Sequence, residues 1–421
     1  MILTAQQTAA LEMVKNSKLS LLIGYPGSGK TTITKKIVDW ARAEKKNIAL
    51  CSPTGKAANV LSEACCHTAS TIHKLLQPIP MKINGKLKFS FSYNSDNPLQ
   101  YDFIIIDECS MIGNELMADL LQAIDPDHTK VLMVGDSCQL PSVQPGNVFY
   151  DLISSGTIPV TELTEVFRHS GVIVDFCTAI RTDISFDLPT SLDLDAGQNY
   201  CHVECSNPQA IHDTVIKLAT ENMVKRGYDV TKDVQILSPV NSKTVLSCDA
   251  LNDSIQNIVN SQPSENCIEN SIFRLGSKVI NTKNIYDAVS FDTNNKEMIL
   301  NGDMGIIVDL MSDCKKMIVQ FDNPVRKIIL NKYAHFLKLA YCLTIHRSQG
   351  SQFPVVILPV HSAFQYQNNR ALLYTSVSRA QKILITVGQQ SAIKRARRDI
   401  SVYQRQTFLS SKIQDRMLET I

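Results

Sequence analysis

Short apolar runs that stop at a small or acidic residue recur along the chain. Leu19-Ser-Leu-Leu-Ile23 ends at Gly24, Ile48-Ala-Leu-Cys51 at Ser52, Phe103-Ile-Ile-Ile106 at Asp107, and Val131-Leu-Met-Val134 at Gly135. Unbroken runs of this length suit strands buried on both faces, so they predict a parallel sheet covered by helices. The stretch from Thr32 to Ala43 supplies helical spacing directly after the first run. Val234-Gln-Ile-Leu-Ser-Pro-Val-Asn241, followed by Asp249-Ala-Leu-Asn252, reads as another strand and helix. The pattern changes character twice. Residues 77–100 alternate, as in Lys86-Leu-Lys-Phe-Ser-Phe-Ser-Tyr93, and Asn84-Gly85 marks a hairpin turn. From about 272 to 335, short strands and turns follow one another (Gly276-Ser-Lys-Val-Ile280, Asn301-Gly-Asp-Met-Gly-Ile-Ile-Val308, Met317-Ile-Val-Gln-Phe321), which suggests a small inserted β-barrel.

Composition narrows this picture. The 421 residues are 44% hydrophobic and 19% charged, ordinary globular values that leave room for two or three domains. No run approaches 18 apolar residues, so no membrane span is expected. Aromatics make up 6% with one tryptophan, Trp40, against an aromatic carbohydrate cleft. The first residues lack the basic and apolar regions of a signal peptide, and the 12 cysteines form no regular framework. Several cysteines sit in apolar runs (Cys51, Cys138, Cys342), so a soluble, intracellular protein with reduced, buried thiols is expected. The net charge is +2. Residues 391–421 hold seven basic and three acidic side chains, either a solvated terminal helix or an auxiliary contact for an anionic partner.

Candidate chemistry sits at the ends of the apolar runs. Gly24-Tyr25-Pro26-Gly27-Ser28-Gly29-Lys30-Thr31 matches G-x-x-x-x-G-K-[ST] at every fixed position. Glycines let backbone N–H groups converge on phosphate oxygens, and the following helix adds its positive end. Gly24, Gly27, Ser28, Gly29, Lys30, Thr31 and Thr32 are therefore the expected ATP-binding residues. Lys30 would reach the β- and γ-phosphates and the Thr31 hydroxyl would ligate Mg²⁺. Asp107 and Glu108 end the next run: Asp107 would hold Mg²⁺ through its water shell, and Glu108 would deprotonate the attacking water. Gly135-Asp136-Ser137-Cys138-Gln139 follows a third run, and the neutral amide of Gln139 suits a γ-phosphate sensor.

These segments, in this order, resemble superfamily 1 helicases, specifically the RecD/Dda-like branch (superfamily 1B), from about residue 3 to about 388. The resemblance implies an α/β fold of two RecA-like P-loop domains, with a small β-hairpin insertion in the first and an SH3-like β-barrel insertion in the second. It places a first domain at 1–155, with its hairpin insertion at 77–100. The second would occupy 156–271 and 336–390 around the SH3-like insertion at 272–335, leaving a basic tail at 391–421. Leu3-Thr4-x-x-Gln7 then resembles an adenine-reading motif, an assignment of Gln7 that rests on the family. Pro53, Thr54 and Lys56, in Ser52-Pro-Thr-Gly-Lys-Ala-Ala58, become candidate contacts to a nucleic-acid backbone, as does His73 in Ser70-Thr-Ile-His73. Thr344 and His346, in Thr344-Ile-His-Arg-Ser-Gln-Gly-Ser-Gln-Phe353, join them.

The family also implies that Arg168 and Arg379 reach the γ-phosphate from the second domain and stabilise charge on the transferring group. One departure stands out: Gln352 occupies a position where relatives usually carry a glutamate assigned to the nucleotide ribose, which puts sugar selectivity in question. The resemblance implies a monomeric motor on single-stranded DNA and duplex junctions, moving 5′ to 3′, with replication or recombination proteins as candidate partners. The hairpin reads either as a pin that splits duplex or as a structural element, and the barrel as a strand grip or a packing module. The Cys65-Cys66-His67 cluster and Cys201-His-Val-Glu-Cys205 lack the paired spacing of zinc sites.

Two rivals have less support. A P-loop kinase has no use for the Gly-Asp-x-x-Gln segment or for Tyr374-Thr-Ser-Val-Ser-Arg-Ala380, and a non-catalytic clamp has no need of both Lys30 and Glu108. A P-loop translocase or switch that does not unwind duplex remains as an alternative within the same chemistry.

Overall fold

The computed structural model describes residues 3–83, 86–167, 171–261, 272–311, 316–322, 324–331, 334–405 and 407–419. The chain divides into two units, Met1–Ser170 with Ile400–Ile421, and Gly171–Asp399.

In the first unit the apolar runs become β1 (Leu19–Gly24), β2 (Ile48–Ser52), β3 (Ala69–Thr71), β4 (Pro78–Ile83), β5 (Lys86–Phe91), β6 (Phe103–Ile106), β7 (Lys130–Gly135) and β8 (Val160–Leu163). Six of them form a parallel sheet in the order β3-β2-β6-β7-β1-β8. Alternate residues point to opposite faces. Leu21, Ile104, Ile106 and Met133 pack with Leu116, Leu120 and Phe149 on one side. Leu22, Leu50, Ile105 and Leu132 pack with Ile33, Ile37 and Leu61 on the other. This two-sided burial, worth about 1.5–3 kcal/mol per large side chain, is why the runs are unbroken. Strand β4 pairs antiparallel with β5, from Pro78↔Phe91 to Ile83↔Lys86. Phe91 and Tyr93 anchor the base of this hairpin on the core, whereas its turn, Asn84-Gly85, lies outside the described residues.

The expected boundary at 155/156 moves. Strand β8 pairs with β1 (Leu21↔Val160 to Gly24↔Leu163) and so belongs to the first sheet. The expected basic tail at 391–421 also divides. Helix Gln390–Arg398 belongs to the second unit, where Arg397 contacts Asp183 at 3.1 Å. Residues from 400 onward return to the first unit, where Leu409 and Ile413 pack against its core.

The second unit holds β9 (Tyr200–Glu204), β10 (Val234–Ser238), β11 (Lys278–Asn281), β12 (Ile285–Ser290), β13 (Lys296–Ile299), β14 (Met304–Met311), β15 (Lys316–Phe321), β16 (Arg326–Leu330), β17 (Leu337–Leu339), β18 (Cys342–Thr344), β19 (Phe353–Val360) and β20 (Ala380–Gly388). A second parallel sheet runs β18-β10-β19-β20-β9. Between helix Cys248–Val259 and β18 the chain forms an antiparallel sheet in the order β13-β12-β16-β15-β14-β11-β17, with register shifts in β12 and β14. Both sheets of this unit share one core, in which Val234, Ile236 and Ile357 meet Val279, Val319 and Leu339. Residues 180–230, which carry no motif, supply edge strand β9, whose Tyr200 stacks on Phe176 at 4.6 Å, and helix Pro208–Lys217, capped by Asn207.

Candidate nucleotide and nucleic-acid sites

Strand β1 delivers the glycine-rich loop to the N-terminus of helix Lys30–Ala43. Gly27 and Gly29 hold φ of +82° and +83°, a left-handed conformation that disfavours other residues. A Cβ on Gly24 would lie 2.5 Å from Ser28 Oγ and 2.7 Å from Lys30 Cγ. The loop therefore wraps tightly around the lysine stem. Lys30 Nζ donates to the carbonyls of Gly24 (2.6 Å) and Tyr25 (3.3 Å), and the buried Ser28 Oγ has no hydrogen-bond partner. Thr31 and Thr32 lie in the first helical turn, partly exposed, where backbone N–H groups have no intrahelical acceptor. The Lys30 ammonium, an unpaired buried hydroxyl and the N–H groups of the first helical turn beside a glycine-rich loop match a phosphate chain in shape and charge.

Gln7 caps its own helix, Ala5–Asn16: Thr4 N donates to Gln7 Oε1 and Gln7 N to Thr4 Oγ1, both at 3.2 Å. That box aims the buried amide at the loop, because a Cβ on Gly29 would sit 2.6 Å from Gln7 Nε2. Neighbouring Gln6 turns the other way and bonds Thr164 beyond β8.

The acidic pair sits at the end of β6, beside β2, and Asp107 N donates to Cys51 O. Lost hydration, with the Glu108 charge second, pushes the Asp107 carboxyl up to about 7, against the opposing effects of the Glu108 amide and Lys30. Near pH 7 this group is poised between its two forms, and a divalent cation would favour the ionised one. Thr31 and Asp107 fit a hard, oxygen-seeking ion such as Mg²⁺. Glu108 has φ +56°, an uncommon backbone for a non-glycine residue, just before the short helix Cys109–Met111. After β7, Asp136 organises the next loop: its carboxylate accepts from Cys138 N (3.0 Å) and Gln139 Nε2 (3.1 Å). Gln139 Oε1 is buried with no hydrogen-bond partner. The role of Asp136 as holder of Gln139 was not anticipated, although their i,i+3 spacing was visible in Gly-Asp-x-x-Gln.

At the ends of β2 and β3, which pair in parallel (Ser52↔Thr71), two further candidates come together. Thr54 caps helix Gly55–Cys65 through Ala57 N at 3.3 Å, with Pro53 and Lys56 partly exposed beside it. His73 lies exposed in helix Ile72–Leu76, its ring 6.0 Å from that of Phe91. In the second unit, Ser238↔Thr344 pairing sets Thr344 at a strand end, where its hydroxyl accepts from Arg347 N and His346 is exposed.

Arg379 is differently placed from a solvent-facing finger. It is buried, and its guanidinium donates to Thr375 O (3.1 Å), Ser351 O (3.1 Å) and Ser378 Oγ (3.0 Å). Arg168 lies outside the described residues. Gln352 accepts from Gln381 Nε2 at 3.2 Å. The cysteine and histidine clusters have structural partners: Arg42 bonds Cys66 O and His67 Nδ1, and His202 bonds Thr386 and Glu204. Among the described residues, no group of three or more His, Cys, Asp or Glu side chains could hold a metal ion, and no helix is long and apolar enough to cross a membrane.

Three families match successive parts of the chain: the AAA domain at residues 2–184, the ATP-dependent RecD-like DNA helicase SH3 domain at 251–321, and the UvrD-like helicase C-terminal domain at 339–387. The ATP-dependent RecD2 DNA helicase of Deinococcus radiodurans is 31% identical over 396 residues, which cover 93% of this chain and 50% of that protein. Along 93% of its length the chain is similar to RecD-like DNA helicases. The RecBCD enzyme subunit RecD of Mycolicibacterium smegmatis is 27% identical over 430 residues, 93% of this chain and 72% of that protein. The chain thus spans about half the length of the Deinococcus relative and more of the mycobacterial one. The Pif1 helicase structure from Candida albicans shares the fold, with a TM-score of 0.53 at 16% identity over 96% of this chain and 98% of that one. The order of the three matched families follows the described architecture, with the SH3-related match falling largely on the antiparallel sheet of the second unit.

Proposed function

We propose that this chain is an ATP-driven DNA motor that translocates 5′ to 3′ on single strands and separates duplex at junctions. The observation carrying this reading is the cradle of the first unit. Close-packed glycines, the Lys30 ammonium, the unpaired Ser28 hydroxyl and the poised Asp107 carboxyl lie with Glu108 at the ends of β1 and β6, the two strands that flank β7. In this reading the loop amides and Lys30 bind and orient the β- and γ-phosphates of ATP. Thr31 and Asp107 hold Mg²⁺, which when bound supplies positive charge against the phosphate oxygens. Glu108 takes the proton of the attacking water, Gln139 registers the γ-phosphate, and Gln7 reads adenine. Arg168 and Arg379 are proposed to favour the transition state. The bonds of Arg379 to Thr375 O, Ser351 O and Ser378 Oγ would orient its guanidinium for that role.

Thr54, Lys56, Pro53, His73, Thr344 and His346 are proposed to contact the single strand, chiefly through its phosphates, at sites where hydroxyls and exposed imidazoles end strands. A near-neutral net charge suits a motor that must release its track each cycle. The protein is proposed to act as a monomer inside the cell, and the DNA-processing names of its relatives favour replication or recombination proteins as partners. ATP hydrolysis measured with and without single-stranded DNA or RNA tests the class. Strand separation with 5′- and 3′-overhang substrates tests polarity and unwinding.

A further inference from the structure

We infer that the returning C-terminal strap of the first unit, residues 400–405, fixes the loop that carries Gln139, with Tyr403 and Arg405 as positioning residues. The inference deepens the ATPase reading and rests on it only for the role of Gln139. Residues 136–147 join β7 to helix Val148–Ser154 without regular structure, include Pro141 and Pro145, and expose Val143. Within this segment Asp136 ties Cys138 N and Gln139 Nε2. Two other segments hold its carbonyls.

From one side, Asn114 N donates to Pro145 O at 3.1 Å. Gly113 packs so closely that a Cβ there would meet Gln144 at 2.7 Å. This side follows the Asp107-Glu108 pair in sequence. From the other side, the Tyr403 hydroxyl donates to Cys138 O at 2.6 Å, fixing the peptide that leads into Gln139. Arg405 Nη1 donates to Ser142 O (2.8 Å), Gly146 O (2.9 Å) and, more weakly, Gln144 O (3.4 Å). The Tyr403 ring stacks on Tyr150 at 5.8 Å and 23°, and Thr407 bonds Asp151. Arg405 lies in the basic stretch 391–421, yet here it meets main-chain carbonyls.

The chemistry explains the need. Gln139 Nε2 is tied to Asp136, while Oε1 is buried without a partner, an arrangement that costs free energy and relaxes unless the backbone is constrained. The strap supplies that constraint at the adjacent carbonyl.

The test compares the parent with Tyr403→Phe, which keeps the ring stack and loses one bond, Arg405→Gln, and Gln139→Ala. Amide hydrogen exchange of peptides covering 136–147, in protein without nucleotide, is expected to quicken by about tenfold in the first two, while peptides of β1 and β6 stay unchanged. Steady-state ATPase is expected to show kcat lowered about five- to tenfold, KM for ATP within about twofold, and no added loss when Tyr403→Phe is combined with Gln139→Ala. Unchanged exchange at 136–147 overturns the strap's hold. Quickened exchange with additive kcat losses overturns its link to Gln139. Because exchange is read without nucleotide, a parent lacking ATPase would remove the proposed activity and still leave the hold measured.

Discussion

The backbone amide of Glu108 donates to the Asp107 carboxylate at 2.9 Å, so the two acids at the end of β6 are joined through main chain as well as by charge. The Asp107 carboxyl titrates near 7 in the folded chain, against an ordinary value of 3.8. Because the folded value is raised, the neutral form is favoured by folding. That contribution is complete below about pH 4 and is lost as pH rises toward 7. In protein free of metal and nucleotide, Asp107→Asn is therefore expected to raise stability at pH 8 by about 1–3 kcal/mol, with the gain vanishing near pH 4. Urea unfolding at the two pH values checks this, and equal stability at pH 8 would contradict it.

Replacing Lys30 with alanine removes the ammonium that the loop wraps, and the loop retains its glycines. Hydrolysis is expected to fall by at least about 10³-fold, since both positioning and charge stabilisation are lost. Turnover near the parent level would remove the cradle from the chemistry.

Glu108→Gln preserves size and hydrogen bonding but cannot accept a proton as the carboxylate does. Nucleotide and single-strand binding should persist while hydrolysis slows about 10²–10⁴-fold. Normal turnover would exclude Glu108 as the base.

Gly29→Ala tests backbone and contact together. Its φ of +83° and a Cβ only 2.6 Å from Gln7 Nε2 predict a loss of about 1–3 kcal/mol in urea unfolding. Adding Gln7→Ala should recover part of that loss by opening space, leaving the φ cost. No recovery would place the whole penalty in the backbone.

Replacing residues 80–89 by a short turn leaves Phe91 and Tyr93 on the core. If the hairpin is a duplex-splitting pin, DNA-stimulated ATPase should survive and strand separation should fall. Equal loss of both would make it a structural element.

The phosphate-binding loop and the acidic pair were legible because their chemistry requires contiguous residues at the end of a buried run, and both runs are unbroken. The inserted antiparallel sheet was legible from its change of period. Strand β8 was not, because Val160-Thr-Glu-Leu163 is short, half polar and on a sheet edge, and only its pairing with β1 reveals it. The strap escaped notice for another reason: its partners are the carbonyls of Cys138, Ser142 and Gly146, which leave no mark on the sequence. Arg379 shows the same limit, since a motif names the residue and not the acceptors that hold it.

The central claim is that the first unit's cradle powers movement on single-stranded DNA. It is tested most directly by measuring ATP hydrolysis by the parent and Lys30→Ala with and without single-stranded DNA, alongside unwinding of matched 5′- and 3′-overhang duplexes. DNA-stimulated hydrolysis and unwinding of the 5′-overhang substrate by the parent alone are the predicted result. Hydrolysis indifferent to DNA, or equal in Lys30→Ala, would contradict it.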